Sequence, residues 1–132
     1  MLKGRCLCGG VRYAFGGSID EISMCHCSQC RQAQGSAFVA VSPIPRDQFH
    51  LLQGAELLKE FRTTPHKARV FCSRCGSPLY SARDDLPNII RLRLGTIETP
   101  FECANAYHIF VESKASWHAL SDQLPKYPEG KS

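Results

Sequence analysis

The chain has 132 residues, 43% of them hydrophobic and 21% charged, which suits one compact domain and is too short for two ordinary ones. No apolar stretch approaches the ~18 residues of a membrane-spanning helix, and the opening Met1-Leu2-Lys3-Gly4-Arg5-Cys6 lacks the apolar segment of a secretory signal. The formal charge of +4 comes from scattered basic residues with no run of five, so neither nucleic acid nor a membrane is an expected partner, and the expected location is a reducing cytoplasm. In chain order, Val11-Arg12-Tyr13-Ala14-Phe15 reads as a strand stopped by Gly16-Gly17. Ser28 is an N-cap for a helix of one or two turns over residues 29–34, closed by Gly35. Ala37-Phe38-Val39-Ala40-Val41 reads as a strand that ends before Pro43 and Pro45. Lys67-Ala68-Arg69-Val70-Phe71 runs as a strand into Cys72. Ile90, Leu92 and Leu94 alternate with Arg91 and Arg93, the period of a sheet with one wet face. Ala106-Tyr107-His108-Ile109-Phe110-Val111 is the last strand. Many short strands between Gly/Pro turns predict a mainly β fold of small antiparallel sheets, with one short helix after the second cysteine cluster.

Seven of the eight cysteines fall in three tight groups: Cys6-Leu7-Cys8, Cys25-His26-Cys27-Ser28-Gln29-Cys30 and Cys72-Ser73-Arg74-Cys75. In reducing surroundings this local spacing points to metal rather than disulfides. Seven thiolates set against two zinc dications bring the formal charge to about +1. Cys72-x-x-Cys75-Gly76 is a zinc-knuckle turn, and Cys6-x-Cys8-Gly9-Gly10 is a tighter version of it. Joined, they make a closed four-cysteine structural site that ties the N-terminal strand to the middle of the chain. Cys25, Cys27 and Cys30 supply only three local thiolates. A zinc with three protein ligands and one exchangeable position is the pattern of a catalytic site. The alternatives for a fourth, closing ligand are His26, Cys103, His108 and His118. Of these, His26 points away from the sulfurs on either side, Cys103 reads as a buried small hydrophobe and His108 as a core or interface histidine. His118, next to the only tryptophan, Trp117, could face solvent.

Four ordered motifs then resemble a known family. They are Gly4-x-Cys6-x-Cys8-Gly9-Gly10-Val11-x-Tyr13, Cys25-His26-Cys27-Ser28-x-Cys30-Arg31, Phe71-Cys72-x-x-Cys75-Gly76 and His108-Ile109-Phe110-Val111-x-Ser113-Lys114-Ala115. Together they are similar to the glutathione-dependent formaldehyde-activating enzymes, the centromere protein V/GFA domain. The match takes residues 1–132 as a single zinc domain with a core of about 4–127. The resemblance implies a β-tent fold stapled by two zinc ions, with Cys6, Cys8, Cys72 and Cys75 structural and Cys25, Cys27 and Cys30 catalytic. It also implies a carbon–sulfur lyase acting on a small thiol such as glutathione with an aldehyde such as formaldehyde. In such an enzyme Ser28 or His26 would move protons, and Arg12, Arg31 or Lys114 would hold carboxylates of a peptide thiol. The alternative is a zinc-stapled interaction module without catalysis. A homo-oligomer is left open.

Overall fold

The computed structural model describes residues 1–131. In chain order the strands and helix are β1 (Leu2–Arg5), β2 (Arg12–Phe15), β3 (Ile22–Cys25), α1 (Ser28–Gln34), β4 (Val39–Pro45), β5 (Phe49–Gln53), β6 (Leu58–Thr64), β7 (Lys67–Cys72), β8 (Pro78–Arg83), β9 (Ile89–Arg93) and β10 (Ala106–Ile109). The fold is mainly β with one short helix, as the turn-punctuated sequence predicts. The chain divides into two compact units, and β4 passes from one to the other.

The first unit comprises Met1–Ile19 and Ser42–Glu102. In it β1, β2 and β5 pair antiparallel, with Gly4 opposite Tyr13 and Phe15 opposite Phe49. β6, β7, β8 and β9 form an antiparallel meander. Tyr13, Phe15, Ile44, Leu79, Ile90 and Leu92 are fully buried and make its core. The Phe49 ring lies 5.0 Å from Tyr13 and 5.5 Å from Tyr80. Among the described residues β6 pairs only with β7, and it carries Lys59, Glu60 and Arg62. Charges of that kind keep a sheet edge from recruiting another strand.

The second unit comprises Asp20–Val41 and the chain from Cys103 onward. β3 pairs antiparallel with the first residues of β4, Cys25 opposite Val39. On its other edge it pairs with β10, and this pairing is parallel, Ile109 opposite Cys25. The C-terminal segment then runs beside β10: His108 N–H donates to the Pro125 carbonyl (2.9 Å), and Tyr127 N–H donates to the His108 carbonyl (2.9 Å). One buried cluster here joins Cys25, Cys30, Val39 and Val41, with Cys27 and Ile109 packed against them. Sulfur is a large part of this cluster, so metal ligation there would add to the unit's stability.

Several expectations are corrected. α1 is capped by Cys27, whose Sγ accepts from the Cys30 N–H (3.3 Å), so Ser28 is the first helical residue and not the cap. Gly35 closes the helix in the left-handed conformation expected of it (φ 66°). β4 continues through Pro43 to Pro45. Its pairing with β3 ends at Val41, so the missing proline N–H groups break no bond on that side. Arg93 is buried rather than wet, because its Nη1 donates to Ser81 Oγ and to the Arg91 carbonyl (both 3.3 Å).

Candidate metal centre

The first cysteine group is built by two turns of the first unit. β1 leads into the turn that carries Cys6 and Cys8, and β7 delivers Cys72 at its end, just before Cys75. Gly9 and Gly76, which follow the two pairs, both take the left-handed conformation (φ 76° and 80°) that residues with a Cβ avoid. The Leu7 N–H donates to Ser77 Oγ (2.8 Å), so one turn is tied to the other. The sulfurs of Cys6, Cys8, Cys72 and Cys75 all lie within 4.8 Å of one another. Cys6 and Cys8 sulfurs are 3.5 Å apart, and Cys8 and Cys72 sulfurs 3.9 Å. Four sulfurs around a tetrahedral zinc at ~2.3 Å sit about 3.8 Å apart, so the donor set fits that ion. Three donors reach two of these sulfurs: Val11 N–H donates to Cys6 Sγ (3.2 Å), and Gly10 N–H (3.4 Å) and Arg74 Nε (3.3 Å) donate to Cys8 Sγ. The Gly10 amide, then the Arg74 guanidinium, pull the Cys8 thiol below its ordinary range.

The second group comes from one short stretch of the second unit. β3 ends at Cys25, Cys27 caps α1, and Cys30 lies in its first turn on the buried side. Their three sulfurs also lie within 4.8 Å of one another. Among the described residues no further Cys, His, Asp or Glu atom joins this group. Cys103 is half-exposed rather than buried, with its Sγ 3.9 Å from the Asn105 carbonyl. Three clustered sulfurs with a hydrogen-bond donor at one of them suit a zinc ion that keeps one position free.

The histidines near this group belong to a different arrangement. His26 has no exposed surface, and its backbone N–H donates to the Ile109 carbonyl (3.0 Å). Its Nε2 lies 2.8 Å from Nδ1 of His108, itself 2% exposed. Nε2 of His108 in turn lies 2.9 Å from Oδ2 of Asp122. The His26 ring packs against Phe38 (5.1 Å) and stacks on the half-buried His118 (6.2 Å). Burial pushes His26 down to about 4, and the charges of His108, His118, Lys114 and Arg31 act in the same direction. Nδ1 of His26 is buried without a hydrogen-bond partner. Trp117 is 71% exposed and so lies outside the core. Of the proposed carboxylate holders, Arg31 Nε donates to the His26 carbonyl (3.4 Å) and Lys114 Nζ to the His118 carbonyl (2.8 Å), while Arg12 is exposed on β2. The sequence pointed to His26 and His108 singly. Nothing in the local sequence of Asp122 marks it as a partner of His108.

The family model described as glutathione-dependent formaldehyde-activating enzyme matches residues 1–113. The chain belongs to this family. A Halomonas elongata protein provisionally named as such an enzyme is 26% identical over 89% of this chain and 79% of its own length. A Fusarium vanettenii protein with the same provisional name is 26% identical over 87% of this chain and 56% of its own. A Schizosaccharomyces pombe protein named an uncharacterised lyase is 29% identical over 61% of this chain. The chain thus spans most of the bacterial family member and little more than half of the fungal ones. A crystal structure of a Rhodobacter sphaeroides protein superposes with a TM-score of 0.62 at 22% identity, covering 75% of this chain and 90% of that one. That likeness concerns the fold alone.

Proposed function

We propose that this protein is a zinc-dependent carbon–sulfur lyase of its family's type, joining a small thiol such as glutathione to an aldehyde such as formaldehyde. The observation that carries the reading is the contrast between the two cysteine groups: four sulfurs gathered in one, three in the other. Cys6, Cys8, Cys72 and Cys75 would hold a structural zinc, and Cys25, Cys27 and Cys30 a second one. A zinc ion held by these three thiolates would supply a Lewis-acid centre able to bind a thiol and stabilise its deprotonated form near neutral pH. In the overall reaction a carbon–sulfur bond forms, the carbonyl π bond breaks, and the proton lost by sulfur ends on the former carbonyl oxygen.

The chain's own residues set the conditions for that chemistry. Cys30 N–H donates to Cys27 Sγ and holds the sulfur in place. Arg31 and Lys114 lie near enough to His26 to act on its charge state, and they supply the positive field that would receive the carboxylates of glutathione. Phe38 and His118 keep the ring of His26 dry.

Thiols add to formaldehyde unaided, so activity is the rate above the uncatalysed one. In zinc-loaded Cys30→Ala that excess rate should fall more than about 100-fold, since even outer partners of a metal site cost 10–100-fold. Cys30 also belongs to the buried cluster of the second unit, so the variant's melting temperature should fall by several degrees while the first unit, whose four-sulfur site is untouched, stays folded. Full excess rate in this variant would contradict an active three-thiol site, and a variant that no longer folds would mark the site as structural.

A further inference from the structure

Building on the reading of the three-thiol group as the thiol-handling site, we infer that Asp122 is a positioning residue. Through His108 it fixes the tautomer of His26, leaving the buried Nδ1 of His26 as a hydrogen-bond acceptor for the S–H or O–H of the molecule handled there. The Asp122 carboxylate is the exposed end of this chain of hydrogen bonds. Its Oδ1 already accepts from Lys126 Nζ (3.0 Å) and from the Leu124 N–H (3.1 Å). Its Oδ2 faces His108 Nε2. An ionised carboxylate only accepts, so His108 must carry its proton on Nε2. The side-chain bonds from His108 and Lys126 hold the Asp122 carboxyl well below the usual range and keep it ionised.

His108 and His26 are both buried and their facing ring nitrogens lie 2.8 Å apart, so one of the two donates and the other accepts. A neutral His108 protonated on Nε2 offers only a lone pair at Nδ1. The facing Nε2 of His26 must then be the donor. A neutral imidazole has one N–H, and Nδ1 of His26 is therefore bare. It is fully buried and unpartnered, a state that costs free energy unless a ligand brings a donor. His26 lies between Cys25 and Cys27 in the chain, so this acceptor belongs to the same turn as two of the three thiols.

Asp122→Asn tests the inference with little risk to folding, because the side chain is 44% exposed. Lys126 and Leu124 hold the oxygen of the new amide at the Oδ1 position, so its NH2 faces His108 and the whole chain of donors reverses. In the zinc-loaded, 15N-labelled protein, long-range proton–nitrogen correlation reads which ring nitrogens are bare. The expected result is a bare Nδ1 on His26 in wild type and a bare Nε2 in Asp122→Asn, with glutathione affinity about tenfold weaker in the variant, the size of one lost hydrogen bond. A His26 protonated on Nδ1 in wild type, or the same tautomer in both proteins, overturns the inference. A reversed tautomer with unchanged glutathione affinity overturns the acceptor role. The tautomer is read without glutathione, so this failure is distinct from failure of the lyase reading.

Discussion

At the scale of single residues, Tyr13 shows how closely the first unit is fitted. Its ring is fully buried, its hydroxyl lies 2.6 Å from Thr96 Oγ1, and Gly4 leaves room for it: a Cβ on Gly4 would collide with the phenol and with the Thr96 carbonyl. Burial pushes Tyr13 up to about 12. A tyrosine in the unfolded chain ionises near 10, so the folded state holds this proton longer. The stabilising contribution is fully present below about pH 10 and is lost as the pH rises toward 12, on the order of 3 kcal/mol at most. Tyr13→Phe should lose about 1 kcal/mol at neutral pH with the hydroxyl bond, and its urea midpoint should then fall less steeply than wild type across that alkaline range. An equally steep fall in the variant would assign the alkaline loss to other groups. The motif Gly4-x-Cys6-x-Cys8 and the strand over Val11–Phe15 place Gly4 and Tyr13 near each other in the sequence, but their collision-free fit is visible only once β1 and β2 are paired.

At the scale of elements, the features legible in the sequence were those settled by neighbours along the chain. Glycines after cysteine pairs, Gly35 at the end of α1 and the alternation along β9 all act within a few residues. The parallel pairing of β10 with β3 depends on segments far apart in the chain, and no local pattern announces it. The same holds for the His26–His108–Asp122 chain, which needs β10 beside β3 and the C-terminal segment beside β10. The shift of the cap from Ser28 to Cys27 has another cause: a sulfur acceptor took the position ordinarily expected of a hydroxyl. The two cysteine groups also differ as elements. One joins two turns from distant parts of the first unit, and the other is a single short stretch with three donors. Zinc on three protein ligands is held less tightly than zinc on four. On stepwise chelation, mass spectrometry of alkylated protein should find Cys25, Cys27 and Cys30 labelled before Cys6, Cys8, Cys72 and Cys75. Labelling in the opposite order would contradict the assignment of roles.

At the scale of the molecule, each of the two units carries one cysteine group, and among the described residues no helix is long and apolar enough to cross a membrane. In the second unit the sulfurs packed against Val39 and Val41 are also the ones that would hold the proposed open zinc site. The proposed function requires two zinc ions per chain, one of which keeps a position for an outside sulfur. X-ray absorption on protein loaded with two zinc ions reads this directly. The average should be about 3.5 sulfurs per zinc in the free protein and rise to about 4 when glutathione is added. Four sulfurs per zinc before any thiol is added, or an average that glutathione leaves unchanged, would contradict it.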